Sequence, residues 1–182
     1  MVSLKKTNSA ILSAQKVINL KIDALRLLKK SLDKNFDRAV STIISCQSKI
    51  ILCGVGKSGL IAAKIASTMS SVGCPAFSLS ANDCLHGDLG SISKKDLLIL
   101  ISNSGKSEEL LPIIKFANRN KIKLIGIVSK KNSSLYKGSD IKILIPETKE
   151  AGLGIVPTSS TSAQLAIGDA LAVAALNKKK FN

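Results

Sequence analysis

Aromatic residues are scarce: the 182 residues hold no Trp, one Tyr and four Phe. A stacking surface for single-stranded nucleic acid needs several rings side by side, so that function class has little support. Arginine is nearly absent too, at Arg26, Arg38 and Arg119 alone, although the formal charge is +15. The charge rests on lysines dispersed along the chain, the pattern of a solvated surface rather than a base-reading face, and its field attracts small anions. No nucleic-acid partner is expected. There is one histidine, His86, and the cysteines Cys46, Cys53, Cys74 and Cys84 form no CxxC pair. No zinc-ligand set is evident, and the thiols read as reduced and mostly buried. No uninterrupted apolar run approaches the roughly 18 residues that cross a bilayer. The stretch MVSLKKTNSAIL also lacks a signal-peptide core. A cytoplasmic protein without a membrane partner is the expectation.

What is present is aliphatic. Hydrophobic residues make up 45% of the chain, mainly Ile, Leu, Val and Ala, enough for one domain over 1–182 with a sizeable core. From about Thr7 to Ser45, apolar residues recur at helical spacing (Ile11, Leu12, Ile18, Leu25, Leu28, then Phe36, Val40, Ile43, Ile44), which reads as two amphipathic helices with Asp33 capping the second. Short apolar runs follow at 50–53, 76–79, 97–101, 124–128 and 141–145, typical of buried parallel strands. Helical segments fit at about 58–71, 108–118, 133–137 and 159–176. The alternation predicts an α/β fold, a three-layer doubly wound sandwich around a five-stranded parallel sheet.

Ligands of such sheets bind beyond the carboxyl ends of the strands, so the loops there carry the chemistry. After the first strand comes Gly54-Val55-Gly56-Lys57-Ser58-Gly59. It matches GxGxxG, but the second strand ends in Ser78-Leu79-Ser80 where a dinucleotide site wants an acidic residue, and Ile51 occupies the place of the first Walker A glycine. What survives is a loop whose backbone N–H groups, around Gly56 and Ser58, can approach an anion beside Lys57; the competing reading is a plain strand-to-helix turn. After the third strand, Ser102-Asn103-Ser104-Gly105-Lys106-Ser107-Glu108-Glu109 places hydroxyls and free N–H groups at a helix start, a suitable phosphate cradle. Capping accounts for Ser107 with the two glutamates but not for the whole run. After the fifth strand, Lys149-Glu150-Ala151 leads to Pro157-Thr158-Ser159-Ser160-Thr161, either a helix cap or a further anion loop. His86 sits in Cys84-Leu85-His86-Gly87-Asp88-Leu89-Gly90 on the same side of the sheet.

The order Gly-x-Gly-Lys-Ser-Gly, His-Gly-Asp-Leu-Gly, Ser-Asn-Ser-Gly-x-Ser-x-Glu, Lys-Glu-Ala, Pro-Thr-Ser-Ser-Thr and Gly-Asp-Ala-Leu-Ala resembles the SIS domain of D-arabinose 5-phosphate isomerases from Ile50 to Leu176. The resemblance implies interconversion of D-ribulose 5-phosphate and D-arabinose 5-phosphate for Kdo and lipopolysaccharide synthesis. It implies active-site roles for Lys57, Glu109, Glu150 and His86, and phosphate contacts from Ser102, Ser104, Ser107 and Thr158, with Asn103 and Ser159 in the same loops. A homotetramer is implied, since such domains build their sites where subunits meet. The chain departs from the family pattern at Lys106, where an acidic residue is usual, and at Gly152, which replaces a Cys-Pro pair. The resemblance also implies a His-Pro-Gly-Gly segment and paired CBS domains beyond Asn182.

Aldose–ketose isomerisation needs a base for a carbon-bound proton and a donor for the developing oxyanion, and no cofactor. Glu150 or Glu109 is expected as the base, Lys57 as the electrostatic stabiliser, and His86 in proton transfer or ring opening. Two rivals are a related isomerase acting on another sugar phosphate and a non-catalytic sugar-phosphate sensor.

Overall fold

Every second residue of the central strands points to one face and the intervening residues to the other, so two separate apolar cores form. The computed structural model describes residues 9–179 and shows this division strand by strand. Five strands, β1 (Ile50–Gly54), β2 (Ala76–Ser80), β3 (Leu97–Ser102), β4 (Lys123–Val128) and β5 (Ile141–Leu144), pair in parallel in the order β2-β1-β3-β4-β5. Ile50, Leu52, Ile99 and Ile127 enter one core with helices α2 (Lys34–Ser45), α3 (Lys57–Ser71) and α7 (Ser159–Lys179). Ile51, Cys53, Leu98 and Leu100 enter the other with α4 (Ala81–Cys84), α5 (Leu110–Asn120) and α6 (Ser134–Gly138). The result is a three-layer α/β/α sandwich, and α1 (Ala10–Ser31) lies outside it against α7.

The expected fold is therefore observed, with element ends differing by a residue or three. Asp33 caps α2 as its sequence position implies, its carboxylate accepting from Asn35 N–H at 2.8 Å. The N-terminal helical pattern begins at Thr7, where residues 7 and 8 lie outside the described residues. Two short elements escaped the sequence reading: α4, and the 3-10 turn Asp88–Ser91, each only four residues long and without apolar periodicity. Helix α5 starts at Leu110 rather than at 108, because Glu108 and Glu109 sit in a tight turn that precedes it. Cys53, Cys74 and Cys84 are buried and Cys46 half-buried, all four as free thiols. Among the described residues no helix is long and apolar enough to cross a membrane.

The strand order puts the topological switch point between β1 and β3, whose following connections leave to opposite faces of the sheet. The segment after β5 then returns from the sheet edge to the start of α7, which packs against α3. This return carries Glu150 across the carboxyl ends of the strands.

Candidate active site

Three glycines shape the turn after β1, for two different reasons. Gly56 adopts φ +57°, a conformation costly for other residues, and a Cβ there would meet nothing within 4 Å. At Gly54 a Cβ would lie 2.7 Å from the carbonyl carbon of Ser58, and at Gly59 one would lie 2.8 Å from the carbonyl oxygen of Gly54. These two allow α3 to begin directly against the end of β1. The start of α3 carries no side-chain cap; Ser58 and Gly59 N–H donate to the Val55 and Gly56 carbonyls, and the exposed Lys57 stands at this positive helix end.

The serine loop after β3 is a folded nest. Buried Ser102 accepts from Gly105 N–H at 3.0 Å and pairs with the Ser107 hydroxyl at 3.2 Å, while Ser104 accepts from Lys106 N–H. Asn103 C=O accepts from both the N–H and the hydroxyl of Ser129, and Gly105 C=O accepts from Leu135 N–H, which clamps the loop to the next connection. Ser107 does not cap α5 through its side chain, contrary to the capping alternative: the cap position is Glu109, which makes no side-chain cap bond. Ser104 and Asn103 are exposed at the tip.

Glu150 is the most heavily bonded carboxylate of the site. Its Oε2 accepts from the Thr158 N–H at 2.7 Å, the Thr158 hydroxyl at 3.1 Å and the Ser159 N–H at 2.8 Å, and its Oε1 accepts from the Ser160 N–H at 3.1 Å. Partial burial works to raise its pKa, but the Ser160 side chain and the N–H groups of Thr158, Ser159 and Ser160 outweigh it and hold the carboxyl below its usual value. Glu150 thus fills the positive end of α7. Thr158 and Ser159, expected as phosphate contacts, hold this carboxylate, and the Ser159 hydroxyl is fully enclosed. Sequence proximity could not show this, because an anion loop and a loop that holds its own carboxylate have the same composition.

Lys57, Ser58, Asn103 and Glu150 meet in one cleft of about 350 Å³, completed by Ser160, Thr161, Gln164 and the apolar rim of Ile155 and Pro157. It lies at the switch point. A larger hollow of about 490 Å³ opens beside it, but Asp83 and Asp88 line it without any lysine, an unfavourable surround for a phosphate. Within one chain the cleft lining includes neither Glu109, half-buried at the start of α5, nor His86, exposed after α4. Gln164 was missed in the sequence. Its signal was there: it follows Ser160 by four and Thr161 by three, hence the same face of α7.

The model of the SIS domain matches residues 43–174 of this chain. The chain belongs to the SIS domain family. An arabinose 5-phosphate isomerase KdsD of Yersinia pestis is 41% identical over 170 residues, which are 93% of this chain and 52% of that protein. The uncharacterized protein RP505 of Rickettsia prowazekii is 42% identical over 91% of this SIS chain and 52% of its own length. The chain thus spans about half the length of the curated relatives it matches. Among solved structures, c3406 of E. coli CFT073 in complex with arabinose 5-phosphate superposes with a TM-score of 0.90 at 36% identity, covering 96% of this chain and 94% of that one.

Proposed function

We propose that this SIS domain is an aldose–ketose isomerase that interconverts D-ribulose 5-phosphate and D-arabinose 5-phosphate through an enediol, in the supply of Kdo for lipopolysaccharide. The observation that carries the proposal is the convergence of Lys57 and Glu150 in a cleft that, of the serine loop, Asn103 alone lines. The arabinose 5-phosphate complex of the E. coli neighbour and the isomerase relatives favour the pentose phosphate over other sugars. We place the reaction in the cytoplasm.

The phosphate docks between the serine loop and the start of α3 beside Lys57, since Glu150 already occupies the positive end of α7. Glu150 Oε2 is saturated by three donors, whereas Oε1 accepts one and keeps capacity toward the cleft. Oε1 removes the C1 proton of the ketose and returns it at C2, while the hydroxyl proton moves from O1 to O2. Lys57 stabilises the enediolate oxygen. The low proton affinity of the resting carboxylate makes it a weak base, and a bound phosphate dianion nearby raises that affinity. Glu109, outside the cleft lining of one chain, is the alternative carboxylate, and His86 acts from a neighbouring subunit.

The decisive experiment is incubation with ribulose 5-phosphate in D₂O, followed by NMR. Arabinose 5-phosphate carrying deuterium at C2 is expected; tight binding with neither conversion nor solvent exchange would make the domain a sensor instead.

Assembly into a tetramer belongs to the same proposal. On α1, Ile11, Ile18 and Leu25 recur seven residues apart and all remain exposed, from 40% to 69%, after α1 has packed on α7 through Ala24 and Leu28. That stripe has the spacing of a helix–helix seam, and a second copy of α1 covers it. Light scattering is expected to give four copies at micromolar concentration; a monomer alone would remove both the seam and the role of His86.

A further inference from the structure

Below its first turn, the inward face of α7 is apolar or small: Ala163, Ile167, Leu171, Ala172 and Ala175 are all buried. Gln164 breaks this pattern at 1% exposure, on the floor of the cleft. A buried carboxamide costs free energy unless its donors and acceptor are paired. Its Oε1 accepts from the Ser58 hydroxyl at 3.1 Å, which joins the starts of α3 and α7 and fixes the orientation of the amide. Among the described residues no protein group pairs with its Nε2. For packing alone, Met would fill the same volume without a polar group to satisfy.

We propose that Gln164 is the residue that reads the sugar: its Nε2 donates to a hydroxyl of the bound substrate and so selects among compounds that share the same phosphate. The proposal rests on the reading of the cleft as a sugar-phosphate site. Lys57 and Glu150 hold charges and act on the reacting carbons, and the serine loop holds a group common to all sugar phosphates. None of these distinguishes one hydroxyl pattern from another. A neutral amide oriented by Ser58 does, because a sugar that fills the cleft but places no oxygen opposite Nε2 leaves that donor group enclosed and unpaired.

The test compares wild type with Gln164→Met and Gln164→Asn, measuring affinity for ribulose 5-phosphate and for inorganic phosphate by calorimetry, with turnover and thermal unfolding alongside. Gln164→Met is expected to weaken ribulose 5-phosphate roughly tenfold to a hundredfold. Inorganic phosphate should stay within about twofold, and the unfolding temperature should hold or rise. Gln164→Asn, which withdraws the amide by one methylene, should fall between, and it decides the matter if the Met variant does not fold. Sugar-phosphate affinity within about twofold of wild type in a folded variant overturns the proposal. So does an equal loss for both ligands with a lower unfolding temperature, which marks a purely structural amide. If wild type binds the sugar phosphate but does not isomerise it, the isomerase reading fails while the affinity ratio still reports on Gln164. If wild type binds the sugar phosphate no better than inorganic phosphate, both fail.

Discussion

Glu150→Gln is expected to reduce turnover by roughly a hundredfold or more, with phosphate binding preserved. The substitution keeps size and one acceptor oxygen but removes the proton acceptor. It also places an NH₂ group among N–H donors at the start of α7, since Thr158, Ser159 and Ser160 all donate to the native carboxylate. A loss of stability on the order of 1 kcal/mol therefore accompanies the loss of activity, from the helix end alone. The pH dependence follows from the sign of the shift. The folded-state pKa of Glu150 lies below its ordinary value, so its contribution is complete above the unfolded-state pKa and disappears as pH falls through the lower folded value. Wild-type stability should decline on that acid side, and the Gln variant should show a shallower decline. NMR of product formation, calorimetry with inorganic phosphate and thermal unfolding across pH check the three parts. Turnover within about tenfold of wild type would move the base to Glu109.

Gly54→Ala should be strongly disruptive, costing about 2–4 kcal/mol. The added Cβ would approach the Ser58 carbonyl carbon to 2.7 Å, its oxygen to 2.8 Å and the Gly59 nitrogen to 2.9 Å. All three are backbone atoms, so no side-chain rotation relieves the contact and the start of α3 must withdraw from β1. Lys57 and Ser58 withdraw with it, and a displacement of about 1 Å at reacting groups is enough for a loss of order a hundredfold in rate. Gly56→Ala is the internal control. There the Cβ meets nothing within 4 Å, and the penalty is only that of a backbone at φ +57° and ψ −124°, a region favoured by glycine, about 1–3 kcal/mol. Urea unfolding of both variants measures the difference, and a larger loss at Gly56 than at Gly54 would refute the close-approach account.

Much of the architecture was legible because it is written locally. Buried parallel strands are continuous apolar runs, as β1, β3 and β4 are, whereas β2, expected to be buried as well, is the sheet edge and stays largely exposed because only β1 pairs with it. Asp33 capped α2 because an Asx side chain before an apolar-periodic segment has one favourable partner, the N–H groups of the first turn. Short elements such as α4 left no such trace. At the start of α5, composition pointed to a Ser107 cap, but the serine loop is clamped by Ser129 and Leu135, and that distant contact decided where the helix begins.

The sequence by itself determined the fold class, the loops that reach the ligand side and the candidates Lys57, Glu150 and Asn103, because strand polarity alone places the loop after every parallel strand at the same end. Only the tertiary structure decided which candidates meet. The return of the chain from β5 to α7 brings Glu150 into one cleft with Lys57 and gives its carboxylate to Thr158, Ser159 and Ser160, so the Thr158 hydroxyl, a phosphate candidate by composition, also serves a side chain. Likewise, a glutamine on a helix says nothing about its own burial. The packing of α7 on α3 makes Gln164 the floor of the cleft, and the physical reason is general: local pattern sets what a segment can form, whereas the desolvation that gives a polar group its function exists only once distant segments have closed over it.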